Sequence, residues 1–391
     1  MCAHLLPVVL LASLLAITTG CGQTASSSAG TTSGVHPECV PSAKPTFAYV
    51  LSYSDANISM YSADSCTGAL TPLKPATVPT GVDNGFNAEE MAIDPTNRFL
   101  YVANLGSNAT DAATVSMFTI DPSTGVLTAN NPAQVPTGYF PQGIAASSNF
   151  VYTANSDDNS VSLFSVDTSN GLLAPLSPAE MLVPPICTSC SSESSPDFVA
   201  VGPSGKFLYV TDQDNGSIST FAINSQTGAL TATSPPGINA GLNPWKVVFD
   251  PSGKFAYVPD EGFNKVWMYT VNPTTGTLTQ NTTPLVAAGN QPSYMAMHPS
   301  GKFAYVVNRL DNTVSMYIVA NEGILVPNSP ATVSAGPSPF SIAVNAAGTF
   351  AYVGNQDNSS ISIYSIGASG VLTPAGTAQT GSNPVNISLI N

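Results

Sequence analysis

The residues best placed for bond-breaking chemistry in this 391-residue chain are carboxylates. Only three His are present, and none serves. His4 lies in an apolar leader, His36 in a Ser/Thr/Gly-rich stretch, and His298 takes a turn position held elsewhere by Asp94 and Asp250. A Ser-His-Asp arrangement, a His general acid and a His-rich transition-metal site are therefore excluded. Any hydrolytic step falls to acids, and Glu89, Glu90, Asp212 and Asp260 are the candidates. With neighbouring Asn oxygens they suit a hard divalent cation, Ca or Mg; no specific metal ligand set is assigned.

These acids sit in a repeat. Tyr, followed mostly by Val, recurs at Tyr49, Tyr101, Tyr152, Tyr209, Tyr257, Tyr305 and Tyr352. A Gly follows each, from Gly68 to Gly370, and two residues after every Gly stands a Leu. Upstream of most Tyr lies Pro-x-x-aliphatic-Ala, as in Pro292 to Ala296. Alternation such as Val314-Ser315-Met316-Tyr317 has period two and marks strands. Each unit of about 50 residues thus holds four short strands. A sheet of that size cannot bury both faces alone, so neighbours must stack. The first unit starts at its second strand, Phe47 to Val50, and the chain ends in an unpaired first strand, Pro384 to Ser388. The expected fold is all-β: a seven-bladed β-propeller of four antiparallel strands per blade, closed by the C-terminal strand joining the N-terminal blade.

Antiparallel connections put the first-to-second and third-to-fourth turns on one face, the bottom. The second-to-third loops and the loops crossing between blades share the other face, the top. The long excursions are on top: Tyr101 to Val115 in blade 2, and Leu173 to Pro196 before blade 4. Function favours variable loops on a regular scaffold, so the top mouth of the channel is the expected site.

Two rings of residues approach that mouth. Three residues after each repeat Tyr come Ser52, Asn104, Asn155, Asp212, Asp260, Asn308 and Asn355, a pattern that also suits turn closure. After each first-strand Pro, or Ala88 in its place, comes a variable pair: Glu89-Glu90, Gln142-Gly143, Asp197-Phe198, Trp245-Lys246, Ser293-Tyr294, Phe340-Ser341 and Val385-Asn386. Its aromatic and acidic members fit a small sugar-like ligand, or they plug the channel. The candidate ligand-binding residues are Trp245, Lys246, Glu261, Tyr294, Asn308, Arg309 and Phe340. Arg309 and Glu261 either form a structural ion pair or hold a ligand's carboxylate or carbonyl oxygen.

Composition narrows the partners. Only 8% of residues are charged, the net charge is −14, and Lys plus Arg number nine. No cationic face for phosphates can be assembled, so nucleic acid is excluded. The partner is a small sugar-like ligand, or a glycan or protein of the cell envelope, and the protein is expected to be a monomer. Leu5 to Ile17 is apolar but shorter than the about 20 residues of a membrane span. With Thr18-Thr19-Gly20-Cys21 after it, the segment reads as a signal peptide over 1–20, and it resembles a bacterial lipoprotein signal with Cys21 as the lipidated residue. Residues 21–44 form a flexible tether before the propeller, 45–391. The protein is then exported to the periplasm or cell surface, touching a bacterial membrane only through its lipid anchor. In that oxidising setting Cys39 with Cys66, and Cys187 with Cys190, are expected disulfides.

The units, such as Pro299-Ser300-Gly301-Lys302-Phe303-Ala304-Tyr305-Val306-Val307-Asn308 followed by Asp311 to Tyr317, resemble the seven-bladed β-propeller lactonase family. That family includes 6-phosphogluconolactonase-like propellers, and the units are also similar to Tyr-Val-Thr-Asn propeller repeats. The resemblance covers residues 45–391 and implies hydrolysis of a sugar lactone at the top of the channel, the enzyme being a carboxylic ester hydrolase of carbohydrate metabolism. The His and Arg constellation of lactonizing relatives has no counterpart here. The alternative is a non-catalytic glycan- or protein-binding propeller.

Overall fold

The β-branched and aromatic runs form strands throughout, from Thr46 to Ile390. The structure, a computed structural model, describes residues 44–81, 88–106, 113–186 and 194–390. These strands make seven four-stranded sheets, each antiparallel and in chain order from the channel outward. The exception in order is the first blade, whose inner strand is the last of the chain. Pro384–Ile390 pairs with Thr46–Ser52, with Tyr49 opposite Ser388 and Val50 opposite Ile387. The ring is closed as the sequence implied.

Burial follows the blade outward. Second strands such as Phe99–Asn104 are buried at every residue, whereas outer strands such as Leu325–Ser334 are mostly exposed. The apolar side chains collect in seven clusters, six of them between two adjacent blades and one joining the first two blades to the aromatic residues Phe198, Trp245 and Phe340. Stacking of blades, rather than pairing within one, is what removes apolar surface from water.

The repeat residues are the stitches of this stacking. The Tyr209 hydroxyl donates to the Gly276 carbonyl of the next blade at 2.7 Å, and Tyr49, Tyr101, Tyr152, Tyr257 and Tyr305 do the same to Gly125, Gly171, Gly228, Gly323 and Gly370. Gly276 has φ +74°, and a Cβ there would stand 2.4 Å from the Phe207 ring. Gly205 has a similar φ of +67° but nothing within 4 Å of an added Cβ. Gly205→Ala should therefore cost only the left-handed backbone term, about 1–2 kcal/mol. Gly276→Ala should add about 1–3 kcal/mol of overpacking. Urea unfolding of the two variants checks this; equal losses would show that the ring contact is immaterial.

His298 is a bottom turn residue, as expected. Its Nδ1 pairs with the Ser300 hydroxyl at 2.7 Å and its Nε2 with the Gly348 carbonyl oxygen at 2.9 Å. Cys66 is disulfide-bonded. Cys21, Cys39, Cys187 and Cys190 lie outside the described residues, as do parts of both long top loops. No helix among the described residues is long and apolar enough to cross a membrane.

Candidate functional site

Each inner strand reaches the channel through a one-residue bulge. In blade 2, Ala88 faces Asn104 but Glu90 faces Ala103, so Glu89 is the extra residue. The same shift follows Pro141, Pro196, Pro339 and Pro384. Bulges re-aim side chains and are common beside active sites. Here the bulge lies within the variable pair after the Pro, so both of its residues crowd the axis.

Four aromatic residues from four blades meet there. Phe198 stacks on Trp245 with centroids 4.9 Å apart, and Tyr294 and Phe340 pack against Trp245 at 5.7 and 5.3 Å. The plug anticipated as one reading of these residues is thus present. Beside it, the Lys246 ammonium of blade 5 is ion-paired with Glu90 Oε1 of blade 2, on the far side of the ring. Glu90 Oε2 accepts the Ile144 N–H at 2.9 Å. Glu90 is fully buried, and the Lys246 side chain is 27% exposed. Burial pushes the Glu90 carboxyl up, while the Lys246 charge and hydrogen bond and the Ile144 N–H pull it back.

Two further carboxyls lie at the first position of the variable pair. Glu89 is pushed up to about 7 by burial and then by the Glu90 charge. Asp197 is pushed up to about 8, first by burial, with Asp212, Asp214 and Glu89 adding to it against the Gln213 N–H. That N–H reaches Asp197 Oδ2 at 2.8 Å. Asp197 therefore feels the Glu89 charge, and both carboxyls are shifted towards neutral pH. Asp197 was not among the sequence candidates. Its signal was available: it occupies in blade 4 the position that Glu89 occupies in blade 2.

Asp212 and Asp260 are differently employed. Asp212 accepts from the Ser194 hydroxyl at 2.6 Å and from the Ser195 and Asn215 N–H groups. Asp260 accepts from the Leu242, Asn243 and Phe263 N–H groups and from Trp267 Nε1 at 2.9 Å. Both carboxylates tie a blade-crossing loop to a second-to-third loop. Asn308 does the same work, accepting the Gly289 N–H and donating to Thr313 and Ser315. The turn-closing reading describes this ring.

The Arg309–Glu261 ion pair does not form. Glu261 accepts from Trp245 Nε1 at 3.1 Å, and the Arg309 guanidinium lies over the Phe340 ring, 5.6 Å from its centroid. The indole and the ring offer each a better-placed partner than the other. Among the described residues, no three His, Cys, Asp or Glu side chains stand together to hold a metal ion.

A cavity of about 430 Å³ lies within the channel. Glu90, Lys246, Tyr294 and Asn386 line one end, and Ile93, Ala146, Val201 and Phe249, the last inner-strand residues before the bottom turns, line the other. It therefore lies on the bottom side of the ion pair, not at the top mouth where open space was expected. The aromatic side chains fill the upper channel, while the Ala residues below leave room.

A family model described as lactonase, 7-bladed beta-propeller, matches residues 35–190, 182–241 and 236–389. No curated protein is similar to the chain. Among solved structures, a putative 6-phosphogluconolactonase from Bacteroides fragilis superposes with a TM-score of 0.74 at 23% identity, covering 89% of this chain and 99% of that one. A periplasmic gluconolactonase from Pseudomonas aeruginosa gives 0.72 at 21% identity, with the same coverage of 89% and 99%. Hydrazine synthase from Kuenenia stuttgartiensis gives 0.55 at 21%, covering 86% and 99%. At such identities the likeness concerns the fold alone, and this fold hosts unrelated chemistries.

Proposed function

The chain belongs to the seven-bladed β-propeller lactonase family, and from that premise we propose that it hydrolyses a sugar lactone at the top mouth of its channel. The observation that carries this reading is the pair Glu89 and Asp197, two carboxyls with raised pKa values beside one axis. Such perturbed groups in a concave site mark candidate acid–base pairs.

The chemistry assigns each a role. Asp197, protonated up to about pH 8, donates its proton to the departing ring oxygen. Glu89, ionised above about pH 7, takes a proton from the attacking water. The water oxygen bonds to the lactone carbonyl carbon as the ring C–O bond breaks, leaving a hydroxy acid. The Glu90–Lys246 pair stays as it is and keeps a negative charge near Glu89, sustaining its basicity.

Initial rates on D-glucono-1,5-lactone, corrected for spontaneous opening, test this. Glu89→Gln and Asp197→Asn should each lower kcat/KM by about 10²–10⁴-fold. Asp260→Asn, which alters a loop tie, should change it little by comparison. Full activity in both of the first two variants would remove the site. No turnover of any aldonolactone would leave the non-catalytic binding propeller.

A further inference from the structure

The cavity beneath the ion pair has no part in the hydrolysis just described, yet it is built like a binding site. Its closed end carries Lys246, whose ammonium has three donors. Glu90 Oε1 takes one of them. The Tyr294 hydroxyl and the Asn386 side chain, joined by a hydrogen bond, stand at the same end with Ser293 and Ser388. Ala92, Ala145, Ala146 and Ala200 line the walls and keep the bore open. Inner strands have a partner on one edge only, so unpaired backbone N–H and C=O groups also face this space.

Charges of both signs stand around its lower end. Arg98, Lys206, Lys254 and Lys302 are exposed in the bottom turns of blades 2, 4, 5 and 6. They are four of the nine cations in the whole chain. The acids of the same turns are turned inward: Asp94 accepts the Arg98 and Phe99 N–H groups, and Asp250 the Ser252 and Phe255 N–H groups. The raised-pKa acids Glu89 and Asp197 lie on the other side of the ion pair. The four cations stand in the first-to-second turns, next to the inner strands, and exposed Asp64, Asp121, Asp167 and Glu322 occupy the third-to-fourth turns farther out on the same face.

We propose that this lower cavity is a binding site for a small hydroxycarboxylate of the aldonate class. The carboxylate meets the free donors of Lys246, and the hydroxyls meet Tyr294, Asn386, Ser388 and the strand edges. A neutral polyol lacks the group that Lys246 selects. An alkanoate leaves the polar wall unsatisfied. The site does not depend on the hydrolysis reading: a chain without any lactonase activity still has this cavity.

Isothermal titration of the full chain with D-gluconate, sorbitol and hexanoate tests it. Gluconate should bind saturably and at least about tenfold tighter than either control, a tenfold ratio being the 1.4 kcal/mol expected of one good charged contact. Ala146→Leu, which narrows the bore without touching the ion pair, should weaken gluconate at least tenfold while the thermal midpoint stays near that of the parent. Lys246→Gln should abolish the preference for gluconate over sorbitol. Absence of saturable gluconate binding at millimolar concentration, equal binding of sorbitol, or unchanged binding in a folded Ala146→Leu would each overturn the assignment.

Discussion

A chain ending at residue 383 should fail to form a stable ring. The missing strand, Pro384–Ile390, is the inner strand of the first blade and buries Val385, Ile387 and Ile390. At roughly 1.5–3 kcal/mol for each such side chain, the loss is about 5–9 kcal/mol. That is comparable to the whole stability of an ordinary domain, about 5–15 kcal/mol. The damage does not stop at lost burial. Thr46–Ser52, buried at every residue, would become an exposed edge, a template for aggregation. The last blade would also lose its neighbour, since Ile387 sits in the cluster holding Tyr352 and Ile361. Circular dichroism melting and size-exclusion chromatography check this. A monomer with the parent's midpoint would show that ring closure contributes little.

Lys246→Met should be the most damaging single substitution in the channel. It leaves Glu90, fully buried, without its counter-charge. Removing one member of a buried pair costs about 3–5 kcal/mol, whereas replacing both with apolar residues is often neutral or stabilising. The double variant Glu90→Leu with Lys246→Met should therefore recover most of the loss. The pH dependence carries a sign. Without Lys246, burial of Glu90 is opposed only by the Ile144 N–H and outweighs it, so the folded pKa lies above that of the unfolded chain, about 4.3. The folded state then holds the proton more tightly, and stability is lost as pH rises through the folded value. The single variant should be close to the parent at about pH 4 and increasingly weaker towards alkaline pH. Denaturant midpoints across that range decide it; a pH-independent loss would mean that packing, not charge, is what Lys246 supplies.

The fold was legible because its stitches recur. Every blade needs an aromatic residue over the next blade's turn Gly, so Tyr, Phe and Gly return at nearly fixed spacing and announce the blade number. Closure was legible from a first strand missing at one end and left over at the other. The site was less so, since channel residues differ from blade to blade by nature. Which of them meet depends on opposition across a ring: Glu90 and Lys246 are neighbours although 156 positions apart. Asp212 and Asp260 looked available because their backbone donors come from loops whose course a sequence does not reveal. Arg309 and Glu261 looked like partners because they sit in adjacent blades, but Phe340 and Trp245 stand closer to each. The open space was misplaced for a similar reason, the rotamers of four aromatic residues deciding which half of the channel is filled.

The acid–base assignment is tested most directly by the pH dependence of kcat/KM for D-glucono-1,5-lactone, followed by acid release from about pH 5 to 9. The expected result is a bell with its limbs near the Glu89 and Asp197 values of about 7 and about 8. The alkaline limb should vanish in Asp197→Asn and the acid limb in Glu89→Gln. A profile that keeps both limbs in both variants would place the chemistry elsewhere on the molecule.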